Sequence, residues 1–199
     1  MSADVLKDLA PTGTLRAAIN YGNGVLAQRG AGDQDPRGVS ADLARELGKR
    51  LGVAVTFIAF DAAGKVFDAL EAGPGNPKAW DVACIAVATK AAYDLYLTRT
   101  LKHAELVRGE APVERFLRDK LDAAAGVRQL LENYTRSNPD LRVMSDRFME
   151  IRQAMGTPQG RKAGAAYLKT FIEEMKASGF VAAALARSGQ KASVPPAET

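Results

Sequence analysis

The first ninety residues switch repeatedly between two hydrophobic periods. Leu15–Asn20 is an apolar run of strand length that gives way to a polar, Gly-rich loop, Tyr21-Gly22-Asn23-Gly24. After a turn at Asp35-Pro36-Arg37-Gly38, Val39, Leu43, Leu47 and Leu51 recur at i, i+4 and predict a helix. Ser40 and Asp42 lie in its first turn, and Gly52 is placed to end it. Val53–Ile58 predicts a second strand. Val66, Phe67 and Leu70 predict a helix over about 62–72, stopped by Gly73 and an exposed Pro74-Gly75-Asn76-Pro77 loop. A third strand opens with Trp80-Asp81-Val82-Ala83 and runs to Val87. Strands alternating with helices predict an α/β fold with a mostly parallel sheet flanked by helices. Ligands of such sheets sit at the carboxyl ends of the strands, here after Asn20, after Ile58 and after Val87.

Past Val87 the pattern is less regular. Helices are predicted over 91–102, from Pro112 with Val113, Phe116 and Leu117, over 127–135, over 163–177 and over 180–187. Short strands are predicted at 104–108, 121–126, 141–144 and 148–155, and residues 188–199 read as a loose tail. The chain shows no internal repeat.

Composition narrows the function classes. The net charge is +4; residues 1–87 carry nine Lys/Arg against ten Asp/Glu, so the remainder carries 27−9 = 18 against 23−10 = 13. That basic excess is scattered among acids, without an aromatic ladder, and no nucleic-acid partner is expected. One cysteine (Cys84) and one histidine (His103) cannot build the usual zinc site, so neither a metal nor a cofactor is expected. They equally disfavour a Ser-His or Cys-His catalytic site. Cys84 reads as a small core residue and His103 as a helix C-terminal partner. The N-terminus has no basic segment followed by an apolar one, so the expectation is either a cytoplasmic chain or one that lacks a signal that once preceded it.

Candidate site residues follow from the strand ends. Asn20 closes the first strand. Tyr21 can stack on a ligand's apolar part and Asn23 can hydrogen-bond its polar head; alternatively Gly22-Asn23-Gly24 supplies positive-φ turn residues. Phe60 is a pocket wall or a core residue, and Lys65 an anion partner at a helix start or a solvated cation. Thr89 and Lys90 precede a helix, where Thr89 caps it or leaves N–H groups for a carboxylate. Arg128 opens another helix, against the helix dipole, which favours a functional role. Asp61, Asp81 and Asp94 lie near strand ends, where each caps or is solvated. No paired carboxylates or strong base stand ready for general acid–base work, so the expectation is a non-catalytic protein.

The run Gly13-Thr14-Leu15-Arg16-Ala17-Ala18-Ile19-Asn20, then Gly38-Val39-Ser40-Ala41-Asp42-Leu43-Ala44, then Ala69-Leu70-Glu71-Ala72-Gly73 with Trp80-Asp81-Val82-Ala83, resembles the type II extracytoplasmic solute-binding proteins. These are the amino-acid-binding components of ABC importers. Segments 92–101, 121–127, 148–161 and 167–180 are similar too. The resemblance implies a periplasmic-binding-protein-like II fold, a small polar solute (an amino acid or other carboxylate), an ABC importer partner and a periplasmic location. It also shows a departure: several dozen residues of the family pattern are missing after Val87. With them goes the turn where relatives place the Arg that grips the α-carboxylate, leaving Lys90 as the nearest cation. Residues 1–87 with 150–199 then form lobe one and 88–149 a reduced lobe two, or the remaining strands merge into one doubly wound sheet. An exposed sheet edge is relieved by that merging or by a homodimer with exchanged segments. The alternatives to solute binding are a truncated paralogue with a structural role or none, and a dehydratase-like enzyme on the same scaffold.

Overall fold

The computed structural model describes residues 2–30, 35–61, 63–71, 79–85, 92–108 and 112–198. Its elements are α1 (Ala3–Leu9), β1 (Thr14–Asn20), α2 (Val39–Leu51), β2 (Ala54–Phe60), α3 (Ala63–Glu71), β3 (Val82–Ile85), α4 (Ala92–Thr100), α5 (Pro112–Arg118), α6 (Arg128–Arg136), β4 (Ala154–Gly156), α7 (Lys162–Ala177) and α8 (Phe180–Arg187). They divide into a unit of residues 1–89 with 152–199 and a unit of residues 90–151.

The first unit holds a mixed sheet in the order β2-β1-β3-β4, parallel except for β4, which runs antiparallel to β3. β1 is central and covered on both faces, with Leu15, Ala17, Ala18 and Ile19 all buried. Leu15 and Ala17 face a core built with Leu43, Leu47, Leu168, Phe171 and Met175. Ala18 faces the other way, onto Val66, Trp80 and Ala83. The Trp80 indole Nε1–H donates to the Val66 carbonyl at 2.8 Å, so that face buries a large ring without stranding its polar atom. β2 is an edge strand; Val55, Phe57, Ile58 and Phe60 are partly covered, and Ala54, Thr56 and Ala59 are exposed.

Local chemistry sets the element ends. α2 stops at Gly52, whose φ of 72° is the left-handed conformation predicted for it. It starts at Gly38, φ 100°, where a Cβ would meet the Leu26 carbonyl oxygen at 2.7 Å; only glycine lets the β1–α2 loop lie this close. The N-terminal helix α1 went unpredicted. Ser2 Oγ accepts from the Val5 amide at 3.4 Å, and Val5 and Leu9, one turn apart, are buried. α1 lies on α7, and the Asp8 carboxylate accepts the Gly164 amide at 2.9 Å.

The second unit contains α4, α5 and α6 and no strand among the described residues. The strands expected at 104–108, 121–126 and 141–144 are irregular chain, and of 148–155 only the end pairs, as part of β4. The residues 121–126 are Ala-rich, end in Gly and have no β-branched member, and a lone strand has nowhere to place its ladder. None of the described residues 93–151 is buried. Asp94 accepts from the Arg108 Nε at 2.9 Å, and the Tyr96 and Phe148 rings stack at 5.8 Å.

Candidate functional site at the carboxyl ends of the first-unit strands

The residues that leave the carboxyl ends of β1, β2 and the start of β4 are held by local hydrogen bonds. Asn20 and Phe60 are register partners, and the Tyr21 amide donates to the Phe60 carbonyl at 2.8 Å, carrying the β1–β2 ladder one step past the strand. Asn20 is 7% exposed, and its Oδ1 accepts the Gly22 amide at 3.0 Å. Asn23 Oδ1 accepts the Val25 amide at 3.2 Å, and its backbone carbonyl accepts the amides of Leu26 and Ala27 at 3.0 Å. These are side-chain-closed turns, in which the amide of Asn stands in for a backbone partner. Asn23 and Gly24 have no positive φ, so left-handed geometry is not what this loop asks of them. The loop is closed further on by an antiparallel bridge between Gln28 and Arg37.

Gln153 reaches the loop from elsewhere, and Arg29 folds back onto it from its own later part. Asn23 Nδ2 donates to Gln153 Oε1 at 3.3 Å; because β4 is antiparallel, the residue before it stands at the carboxyl end of β3. The Arg29 guanidinium lies over the Tyr21 ring, 4.4 Å from its centroid, and its Nη2 donates to Asp61 Oδ1 at 2.7 Å. Asp61 directly follows β2 and also faces Lys65 Nζ at 3.8 Å. Tyr21, Arg29 and Asp61 thus converge beside Asn20. Gln153 and Arg29 were missed from sequence: Arg29 lies nine residues past the strand, and no motif announces a cation that folds back onto an aromatic ring.

The remaining expected site residues are distributed as follows. Phe60 is partly buried against the Ala18, Val66, Trp80 and Ala83 cluster. Lys65 is exposed on α3. Thr89 and Lys90 lie outside the described residues. Arg128 belongs to the second unit and opens α6. Its Nη2 donates to the Met144 and Ser145 carbonyls at 3.0 and 2.8 Å, and Nη1 stands 3.7 Å from Glu132, so it braces the chain at 144–145. His103 is exposed past the end of α4.

Asp81, read from sequence as a cap or a solvated acid, is fully buried. It accepts the Arg16 amide, Nε and Nη2 at 3.0, 2.9 and 2.9 Å and Arg161 Nη1 at 2.8 Å. The Asp81 hydrogen bond raises the Arg16 pKa above the ordinary arginine value, against the opposing effect of burial. This cluster ties the amino ends of β1 and β3 to the start of α7, away from the carboxyl-end loops.

Among the described residues no group of His, Cys, Asp and Glu is placed to hold a metal ion, and no helix is long and apolar enough to cross a membrane. A surface hollow of about 240 Å³ lies between α2 and α8 rather than at the strand ends, and its charges pair with one another, as Arg45 and Arg187 do with Asp42.

No family model matches the chain, and no curated protein matches it in sequence. Among solved structures, a mutant of ArgBP from T. maritima matches with a TM-score of 0.64 at 16% identity, over 93% of this chain and 99% of that one. An ancestral cyclohexadienyl dehydratase matches with a TM-score of 0.53 at 17% identity, over 94% and 97%. At such identities the likeness speaks for the fold alone. Both neighbours are type II periplasmic binding proteins in architecture, and the α/β chain described here, a mixed sheet flanked by helices, has the periplasmic-binding-protein-like II fold.

Proposed function

We propose that this chain is a non-catalytic binding protein for a small polar solute, an amino acid or another carboxylate, serving ABC-type import in the periplasm. The observation that carries the reading is the pre-shaped loop at the carboxyl end of β1, in which Asn20 and Asn23 lock the backbone and the Tyr21 amide is tied to the Phe60 carbonyl. A binding loop whose turns are already closed loses less conformational entropy when a ligand arrives. The ends of parallel strands are where such folds place ligands, and the likeness to an amino-acid-binding protein agrees with that choice.

The fold likeness to a dehydratase gives the enzyme reading its one support. A dehydratase needs an acid that protonates a leaving hydroxyl. Asp61, the carboxyl beside Tyr21 and Arg29, is engaged by two cations instead. Calorimetric titration with the amino acids and small organic acids tests the proposal: a saturable heat with at least one of them is expected, and silence across the set would overturn it.

A further inference from the structure

We propose that the outer edge of β2 is a docking surface for a second copy of this chain, whose own β2 pairs with it antiparallel and without exchange of segments. β2 stands at one end of the sheet, so no strand among the described residues pairs with its outer side. Its register with β1 runs unbroken from Thr14 opposite Ala54 to Asn20 opposite Phe60, which leaves no bulge to bend the strand away. The strand is seven residues long and carries neither a charge nor a proline. Monomeric proteins blunt such edges with charges, prolines, bulges or very short strands. The opposite edge of the same sheet is blunted in that way: β4 has three residues, and Pro158 follows it closely.

The backbone selects the occupant. The Phe60 carbonyl accepts the Tyr21 amide, so the main-chain groups of Phe60 face β1. These groups alternate along a strand: those of Ile58, Thr56 and Ala54 face β1 too, while the N–H and C=O groups of Val55, Phe57 and Ala59 face the open edge. The three outward residues are evenly spaced about Phe57. A two-fold axis beside Phe57 therefore sets it opposite its own copy, and sets Val55 opposite the second copy's Ala59. Every outward amide then meets an outward carbonyl, in the self-complementary and closed arrangement of a symmetric dimer. Val55 and Phe57 already pack into the core under α2, and Ile58 and Phe60 into the core under α3, so the edge is the side of β2 that a partner strand reaches. No like charges meet along the seam. Because the paired strands run in opposite senses, their carboxyl ends lie at opposite ends of the seam.

Sedimentation equilibrium of the full chain, as wild type, A59P and A59K, tests the proposal. Ala59 is exposed and its amide faces away from β1, so proline there removes an outward donor and leaves the β1–β2 ladder whole. A59K places a charge on the edge instead. The expected result is a reversible monomer–dimer equilibrium in the wild type. Both variants should keep its circular dichroism and raise the dissociation constant at least about tenfold, since the two-fold axis doubles each loss. Hydrogen exchange of the wild type, read by NMR, needs no variant. The amides of Val55, Phe57 and Ala59 should exchange more slowly as concentration rises, and those of Thr56 and Ile58 should not respond. A wild type that stays monomeric up to about 1 mM would overturn the proposal. So would a dimer that A59P and A59K leave equally tight, or one in which the three outward amides ignore concentration. Each of these outcomes leaves the solute-binding reading standing.

Discussion

Arg161 Nη1 donates to Asp81 Oδ1 at 2.8 Å, joining the residue that precedes α7 to one that precedes β3, eighty positions earlier. Arg16 closes the other side of the same carboxylate through a fork of Nε and Nη2. Removing the shared carboxylate leaves two nearly buried guanidiniums facing each other. D81A is therefore expected to lose about 3 kcal/mol or more, the range for breaking a buried pair from one side. Urea denaturation monitored by circular dichroism measures it, and a loss under about 1 kcal/mol would contradict the account.

The approach of α1 to α7 depends on Gly164. A Cβ there would lie 2.9 Å from both Asp8 Cβ and Leu9 Cδ2. G164A should push the helices apart and cost about 1–3 kcal/mol, as overpacking of a close contact does. Each kcal/mol should appear as a fall of about 2–4 °C in Tm for a chain of this size. An unchanged Tm would mean that α1 can shift without penalty.

The C-terminal tail is anchored through a carboxylate. Glu173 accepts from Lys176 Nζ and from the Glu198 amide, each at 2.6 Å. The Lys176 bond first, and the Glu198 amide next, hold its pKa below the ordinary value of 4.5. A carboxyl depressed on folding stabilises fully above its unfolded value and loses that contribution as pH falls through its folded one. Tail docking should thus be intact above about pH 4.5 and weaken on further acidification. A carbon-detected NMR titration of the Glu173 carboxyl, compared with a denatured sample, reads this directly. A midpoint at or above the denatured one would refute it.

Asn20 carries the shape of the β1–α2 loop through one side-chain acceptor. N20A removes the buried side-chain partner of the Gly22 amide. A loss of about 1 kcal/mol is expected, with faster hydrogen exchange at the Gly22 amide. Unchanged exchange would show that the backbone alone holds the turn.

The order of elements in the first unit was legible because local and long-range requirements agree there. Leu15, Ala17, Ala18 and Ile19 are apolar and buried, as a strand covered on both faces requires, and the i, i+4 leucines of α2 face that strand. The place of Asn20, Tyr21 and Asn23 at a strand end followed from the same pattern. Asp81 and Arg29 were not legible in the same way. The partners of Asp81 lie 65 and 80 residues distant, and Arg29 acquires meaning only when its side chain turns back onto Tyr21. In residues 121–126 the apolar run suggested a strand, but strand formation needs a neighbour, which a local pattern cannot report. The short α1 was overlooked because it has only one buried turn, Val5 to Leu9.

The pairing of Ile85 with Ala154 puts the last described residue of β3 directly opposite the first of β4. Cα atoms so paired stand about 5 Å apart, a gap that a two-residue hairpin can bridge. The intervening stretch is therefore spliced into the sheet like a bead on a looped thread, entering and leaving at one spot. Lengthening, shortening or exchanging it leaves the wiring of the four strands untouched, so evolution can remodel this part of the chain without redrawing the sheet.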